Sequence, residues 1–91
     1  MTTCSVTITI INRLGLHARP AMTFVDIAST FESDIQIAKG SQKVDGKSIM
    51  QLMMLAATQG TELVITADGP DADDAIAALK DLVDRKFDEE N

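Results

Sequence analysis

The stretch CSVTITIINRLGLHARPAMTFVDIAST, residues 4–30, decides the fold, because the spacing of its apolar residues changes partway along it. From Cys4 to Ile10 apolar and polar residues alternate, which predicts a strand with one face on a core. The apolar residues of the later part recur at helical spacing, at Ala21, Met22, Val25 and Ala28. They predict an amphipathic helix from Ala18 to about Thr30.

The heptapeptide GLHARPA, which begins at Gly15, joins these two elements and contains the single histidine of the chain. Pro20 fits the first turn of a helix, since the N–H group that proline lacks has no partner there. His17 then lies at or next to the N-cap, where free N–H groups and the helix dipole favour an anion. Arg19 adds a forked cationic donor, Ala18 a backbone donor, and Gly15 lets the chain turn and approach the anion. The motif therefore predicts a nucleophilic His17 within a phosphate-binding site of Gly15, Ala18 and Arg19.

The rest of the chain predicts three more strands and two more helices. They are a hairpin over 35–44 with its turn at Gly40-Ser41, a helix over 48–57, a strand over 62–67, and a helix that follows Gly69-Pro70. Aspartates 71, 73 and 74 suit the first turn of the last helix, and Arg85 and Lys86 suit its last turn. The order βαββαβα indicates an α+β fold, an open-faced sandwich with a four-stranded antiparallel sheet and three helices on one face. The acidic end from Asp88 to Asn91 is predicted to be a frayed tail.

The short middle helix carries a second candidate site. Ser48 and Gln51 fit a capping box, which gives the helix a defined start. Its apolar face is predicted to hold Ile49, Leu52, Met53 and Ala56. A helix this short cannot bury every side, so part of it is predicted to form an adaptable docking patch, made of Ile49, Met50, Leu52 and Met53. Ser48 is an N-cap and also a candidate phosphorylation site, because a helix start favours a phosphate.

Size and composition exclude several classes of function. Ninety-one residues predict one domain over 1–91, with a modest core and no room for a deep cleft, so docking onto partners is favoured over enclosing a substrate. A net charge of −6 without a basic patch argues against nucleic acid. One histidine and one cysteine give no zinc spacing, and Ser41 stands where a nucleotide-binding loop ending in Gly46-Lys47-Ser48 needs glycine. We therefore expect no metal and no cofactor.

The location of the protein is also constrained. The apolar runs are too short to span a bilayer, and no apolar segment follows a basic amino terminus, so we do not expect secretion. Cys4 is the only cysteine, so no internal disulfide forms. We expect a cytoplasmic monomer that does not insert into membranes.

Both motifs resemble one known family. GLHARPA at 15–21 resembles the active-site motif of the histidine-containing phosphocarrier (HPr) family of the bacterial phosphoenolpyruvate-dependent phosphotransferase system. Lys47-Ser48-Ile49-Met50 with Leu52-Met53 resembles the regulatory-serine segment of the same family. The resemblance covers essentially the whole chain and implies the same open-faced sandwich.

That resemblance implies a stoichiometric phosphocarrier rather than an independent enzyme. His17 would accept a phosphoryl group from phosphorylated enzyme I and pass it to a IIA domain, with Arg19 helping to hold it. Ser48 would be a target of HPr kinase/phosphorylase. Asn12-Arg13-Leu14 resembles the nitrogen-related members, whereas the segment around Ser48 resembles the sugar-branch members. A regulatory protein that acts through Ser48 and docking, without sugar transport, remains the alternative.

Overall fold

The computed structural model describes residues 2–88, which form four strands and three helices in the predicted order. The elements are β1 (Thr2–Thr9), α1 (Ala18–Ala28), β2 (Asp34–Lys39), β3 (Gln42–Asp45), α2 (Ile49–Met54), β4 (Glu62–Gly69) and α3 (Ala72–Asp84), followed by a 3-10 turn (Lys86–Asp88). The strands form one antiparallel sheet in the order β1-β4-β2-β3. This is the predicted open-faced sandwich. None of the helices in the described part of the chain has the length and apolarity needed to cross a bilayer.

The core lies between the sheet and the helices. Alternate residues of the strands point inward and are buried, among them Ile8, Ile37, Val44, Leu63 and Ile65. β1 lies at one edge and pairs only with β4, from Thr2 opposite Gly69 to Thr9 opposite Glu62. The predicted alternation of β1 is confirmed, since Ser5, Thr7 and Thr9 are exposed whereas Cys4, Val6 and Ile8 are partly or fully buried.

The buried stripe of α1 differs from the predicted one. The helix ends at Ala28, and its buried residues are Pro20, Ala21, Phe24 and Ala28. Met22, predicted on this stripe, is exposed, and Phe24 is buried in its place. Phe24 is three residues after Ala21 and four before Ala28, so all three share a face. Two residues correspond to a rotation of about 200° around the helix axis, so Met22 points to nearly the opposite side of the helix from Phe24.

The helix α2 is shorter than predicted because its last carbonyl groups bind side chains of the β2–β3 hairpin. Lys39 Nζ donates to the carbonyl oxygen of Leu55 at 2.9 Å, and the amide of Gln42 donates to the preceding carbonyl oxygen at 3.5 Å. Ala56 then takes a left-handed conformation with a φ of 50°. The helical pattern of the sequence continues to Ala57, but the backbone turns away before it.

The buried face of α2 is also narrower than predicted. Leu52 is fully buried and Leu55, just after the helix, is buried with it. Ile49, Met53 and Ala56, predicted to share this face, are exposed. Leu52 is the one buried residue of this six-residue helix.

The last helix begins and ends differently from the prediction. Asp71 is its N-cap residue, with Asp73 and Asp74 in the first turn as expected. Arg85 is the C-cap and Lys86 lies beyond it, so the last turn carries no basic residue. Asp88, predicted to belong to a frayed tail, forms an ion pair with Arg85 at 2.7 Å. The other tail residues, 89–91, lie outside the described residues.

Asp71 connects α3 to the loop between α1 and β2 instead of capping its own helix. Its carboxylate accepts hydrogen bonds from the hydroxyl and N–H of Ser33 and from the N–H of Glu32. These bonds favour the charged form, so they hold the pKa of Asp71 below its usual value, with the Ser33 hydroxyl as the largest cause. The contact joins residues that are 38 and 39 positions apart, so the sequence pattern does not reveal it.

Candidate functional site

His17 is the N-cap residue of α1, as predicted. Its backbone is extended, with φ −83° and ψ −170°, and its carbonyl oxygen accepts the first intrahelical bond from Ala21 N at 3.0 Å. The side chain is half-buried and makes no capping hydrogen bond to the helix. The imidazole therefore does not occupy the N–H groups of its own helix.

The first turn of α1 presents backbone donors to an anion. An α-helix leaves its first N–H groups without intrahelical partners, and Pro20 has no N–H group. The donors that remain are those of Ala18 and Arg19, and both residues are exposed. The first turn contains no acidic side chain, so no carboxylate of the turn offsets the positive end of the helix dipole. The cationic Arg19 lies in the same turn. This helix start therefore favours an anion.

Gly15 positions the loop before His17 and lies against the backbone of Ala57 and Thr58. Its φ is +69°, and a Cβ atom there would lie 2.5 Å from the carbonyl oxygen of Ala57 and 2.9 Å from Cα of Thr58. Its N–H group donates to the Asn12 carbonyl oxygen at 3.1 Å. The phosphate-binding role expected of Gly15 stays a prediction, and in this structure its N–H is engaged and its close approach is to the protein's own chain.

The segment after α2 holds the residue that precedes His17. Leu16 N donates to the carbonyl oxygen of Ala57 at 2.8 Å, and the Leu16 side chain is buried. The loop before α1 is thus attached to the loop after α2. No pattern in the sequence indicates this contact, since the two residues are far apart in the chain and both bond through backbone atoms.

Asn12 is a site residue that sequence reasoning missed. It is fully buried, and its Nδ2 donates to the carbonyl oxygen of Gly15 at 2.6 Å. Together with the Gly15 N–H bond to the Asn12 carbonyl oxygen, this closes the turn twice. Asparagine followed three positions later by glycine is typical of a turn. The sequence therefore carries a signal for the turn, but none for the burial of the side chain.

Ser48 is the N-cap of α2, and half of the predicted capping box is present. Its Oγ accepts a hydrogen bond from Gln51 N at 3.3 Å. The Gln51 side chain does not return this bond to Ser48 and instead accepts from Asp45 N at 2.9 Å. Ser48 N donates to the Asp45 carbonyl oxygen at 3.2 Å. Gln51 thus fixes the end of β3 to the start of α2.

The predicted docking patch is largely exposed, with one correction. Met50 is 80% exposed, and Ile49 and Met53 are also exposed. Leu52 is fully buried and faces the core, so it cannot contact a partner, whereas Met54 is 67% exposed and extends the patch. We call the side chains of Ile49, Met50, Met53 and Met54 the α2 patch. Because α1 and α2 pack against each other, the patch adjoins the helix that His17 begins.

Across residues 2–88, no group of three or more histidine, cysteine, aspartate or glutamate side chains is arranged to hold a metal ion. The site as described thus consists of a histidine at a helix start, two backbone donors, an arginine and a neighbouring apolar patch.

Comparisons with known proteins agree with this arrangement. A family model described as PTS HPr component phosphorylation site matches residues 4–85. The phosphocarrier protein HPr of Neisseria meningitidis serogroup A is 49% identical over 82 residues, which cover 90% of this chain and 92% of that protein. The phosphocarrier protein NPr of Shewanella violacea is 42% identical over 89 residues, or 98% of each chain.

Solved structures show the same similarity. The crystal structure of HPr-C-His from Thermoanaerobacter tengcongensis matches with a TM-score of 0.93 at 49% identity, covering 97% of this chain and 99% of that one. The crystal structure of an HPr dimer from the same organism matches with a TM-score of 0.77 at 50% identity, over 92% and 97% of the two chains. The chain therefore belongs to the HPr family, the phosphocarrier proteins of the phosphotransferase system.

Proposed function

We propose that His17 is the phosphoryl acceptor of this carrier, receiving the group from phosphorylated enzyme I and passing it to a IIA domain. An imidazole nitrogen attacks the phosphorus, a phosphorus–nitrogen bond forms, and the bond to the donor breaks with its electron pair left on the donor. The reverse sequence transfers the group onward. The observation that supports this role is the position of His17 as N-cap of a helix whose first turn offers backbone donors and has no acidic side chain.

The residues around His17 supply electrostatic stabilisation in this proposal. The N–H groups of Ala18 and Arg19 point from the helix start, and the Arg19 guanidinium adds a charge that pairs with phosphate oxygens. An arginine in a first turn opposes the helix dipole by a few tenths to about 1 kcal/mol. A bound phosphoryl group offsets that cost, since it attracts both the arginine and the dipole.

Partner proteins complete the site in this proposal. His17 is half-buried and Arg19 is exposed, so a partner protein can reach both side chains. The α2 patch, next to α1, offers apolar side chains of the flexible kind that suit several partners. We propose that enzyme I and the IIA domains both dock on it.

Ser48 is the proposed regulatory site. Ser48 is half-buried and its hydroxyl already accepts the Gln51 N–H, so a phosphoryl group on Ser48 keeps an acceptor at the start of α2. The added charge would lie beside Ile49 and Met50, on the apolar docking surface. Phosphorylation by HPr kinase/phosphorylase is therefore expected to weaken exchange with enzyme I.

A second candidate is a carrier of the nitrogen-related branch. The similarity to the Shewanella NPr extends over nearly the whole of both chains, and Asn12-Arg13-Leu14 resembles that branch. The chemistry at His17 would be the same, and the partners would differ. Rates with the enzyme I of each branch distinguish the two candidates.

The main experiment incubates the protein with phosphoenolpyruvate and enzyme I and measures phosphate bound to the protein. We expect an acid-labile, alkali-stable phosphate that His17→Ala abolishes. Arg19→Ala is expected to slow its uptake more than Arg19→Lys, and Lys80→Ala, an exposed change on α3, serves as the control. The absence of phosphate on the unaltered protein would refute the proposal.

A parallel experiment tests Ser48 with ATP and HPr kinase/phosphorylase. We expect an acid-stable phosphate that is lost in Ser48→Ala and retained in His17→Ala. The phosphorylated protein is then offered to enzyme I, and its uptake of a second phosphate is expected to be slower. An unchanged rate would contradict the regulatory role while leaving the carrier role intact.

A further inference from the structure

We propose that the exposed methionines of α1 and α2 are oxidation sites, and that a peroxide acting on them lowers phosphoryl transfer from enzyme I. The four methionines described in the structure are Met22, Met50, Met53 and Met54, and all four are exposed. One lies on α1 and three on α2, the two helices that pack together beside His17. The inference rests on the proposed function, because its effect is measured through transfer to His17.

The exposed positions of these methionines are unusual for an apolar residue type. Met is an apolar residue that ordinarily fills gaps in a core, yet the core of residues 2–88 is built from leucine, isoleucine, valine, alanine and phenylalanine. Three of the six residues of α2 are methionines, and the single leucine among them is the inward one. The sulfur atoms are thus concentrated where partners are proposed to dock.

The chemistry requires one co-reactant, a peroxide. The sulfur lone pair attacks one peroxide oxygen, the O–O bond breaks, and a methionine sulfoxide forms as water leaves. The sulfur is oxidised by two electrons and hydrogen peroxide is reduced by two. The product is polar and chiral, and sulfoxide reductases return it to methionine, so the change is reversible.

A sulfoxide on the α2 patch affects docking more than folding. In the free protein the Met50 and Met54 side chains are mostly in water, so the new oxygen stays hydrated there. In a complex the same oxygen is buried against an apolar partner surface without a hydrogen-bond partner, which is unfavourable. We expect oxidation of the patch to lower the rate of transfer from enzyme I about tenfold at low carrier concentration.

The single cysteine does not compete strongly for the oxidant. The Cys4 thiol donates a hydrogen bond to the carboxylate of Asp73, and this bond, with burial and the negative charge of Asp73, raises the pKa of Cys4. A thiol reacts with peroxides through its thiolate, so Cys4 stays in the less reactive form. Among residues 2–88, the four methionines are exposed, whereas Cys4 is only partly exposed.

The test treats the full chain with hydrogen peroxide, removes the peroxide, and then measures the initial rate of phosphate uptake from enzyme I. Peptide mass spectrometry locates each added oxygen, and we expect Met50 and Met54 to be oxidised before Met53. The rate of the treated protein is divided by the rate of the untreated protein. We expect a ratio of about one tenth, recovery after treatment with a methionine sulfoxide reductase, and the same ratio in Cys4→Ala.

The matched variant replaces the four methionines with leucine, which is apolar and does not form a sulfoxide. Its own ratio of treated to untreated rate is expected to stay near one. A ratio near one in the wild-type protein after Met50 and Met54 are oxidised would overturn the proposal. The proposal would also be overturned if the ratio of treated to untreated rate fell in the leucine variant. The same holds if circular dichroism showed that the treated wild-type protein loses its rate because it unfolds. Phosphoryl transfer from enzyme I to the untreated protein shows that the carrier function itself is intact, so a failure of this proposal is distinguishable from a failure of the carrier function.

Discussion

Substitution of Gly15 by alanine tests whether the close approach of two loops forms the site. Gly15 has a φ of +69° and Gly40, in the β2–β3 turn, has a φ of +59°. Both substitutions place a side chain in a left-handed backbone, which costs about 1 kcal/mol or somewhat more. A Cβ atom at Gly40 meets nothing within 4 Å, whereas one at Gly15 meets the Ala57 carbonyl oxygen at 2.5 Å. Gly40→Ala is therefore a matched control for the backbone cost alone.

The additional cost at Gly15 comes from overpacking. The obstructing atoms belong to the backbone of Ala57 and Thr58, so they do not move as a flexible side chain does. Overpacking costs about 1–3 kcal/mol. Moving Ala57 also weakens the 2.8 Å bond from Leu16 N, worth about 1 kcal/mol. Gly15→Ala is thus expected to lose about 2–4 kcal/mol more than Gly40→Ala, and to melt at least about 8 °C lower than that control.

Urea unfolding followed by circular dichroism measures both free energies of unfolding. The same preparations, assayed at a temperature where both are folded, give the rate of phosphate uptake from enzyme I. We expect that rate to fall in Gly15→Ala and to be retained in Gly40→Ala. The reasoning would be refuted if the free energies of unfolding of Gly15→Ala and Gly40→Ala agreed within about 1 kcal/mol. Only the contact with Ala57 and Thr58 makes the expected loss at Gly15 larger than that at Gly40.

Four further substitutions test other contacts. Asn12→Ala removes the buried hydrogen bond to the Gly15 carbonyl oxygen. It is expected to lower the free energy of unfolding by about 2 kcal/mol and to slow phosphate uptake. An unchanged rate of uptake would contradict a role for Asn12 in positioning the loop. Leu52→Ala is expected to lower the free energy of unfolding in urea by about 2–5 kcal/mol, because Leu52 is buried in the core. Met50→Ala is expected to change stability little and to slow transfer from enzyme I. Equal stability losses would contradict the placement of Leu52 in the core and of Met50 on the surface. The pKa of Asp71 is lower in the folded state than in the unfolded state. The contribution of Asp71 to the free energy of unfolding is therefore complete above about pH 4 and is lost as the pH falls further. On acidification, the free energy of unfolding should fall more steeply in the wild type than in Asp71→Asn.

Periodicity predicts the elements of this fold because each has a strong local pattern. The alternation of β1 and the turn at Gly40 are local features, and the structure retains both. Which side of a helix faces the core is a weaker signal. In α1 the sequence offers Met22 and Phe24 on nearly opposite sides of the helix, and only tertiary packing selects the phenylalanine. In α2 the end is set by Lys39, from a different element.

The candidate site is predictable to the extent that it is local. His17 at the helix start follows from Pro20 and the dipole, since both act within one turn. The role of Gly15 is not predictable in this way, because the group it approaches is the backbone of Ala57, in a loop far along the chain. Backbone-to-backbone contacts of this kind leave no residue-type signature.

The pairing of β1 with β4 has a consequence for synthesis of the chain. The strand β1 is made well before its partner β4, which begins at Glu62. At about 5–20 residues per second, roughly 3–10 s of translation separate the two strands. During that interval the nascent chain has neither the sheet partner of β1 nor the Ala57 carbonyl that fixes Leu16. The loop that carries His17 therefore reaches the described arrangement only after the segments that hold it, the loop after α2 and β4, have been made.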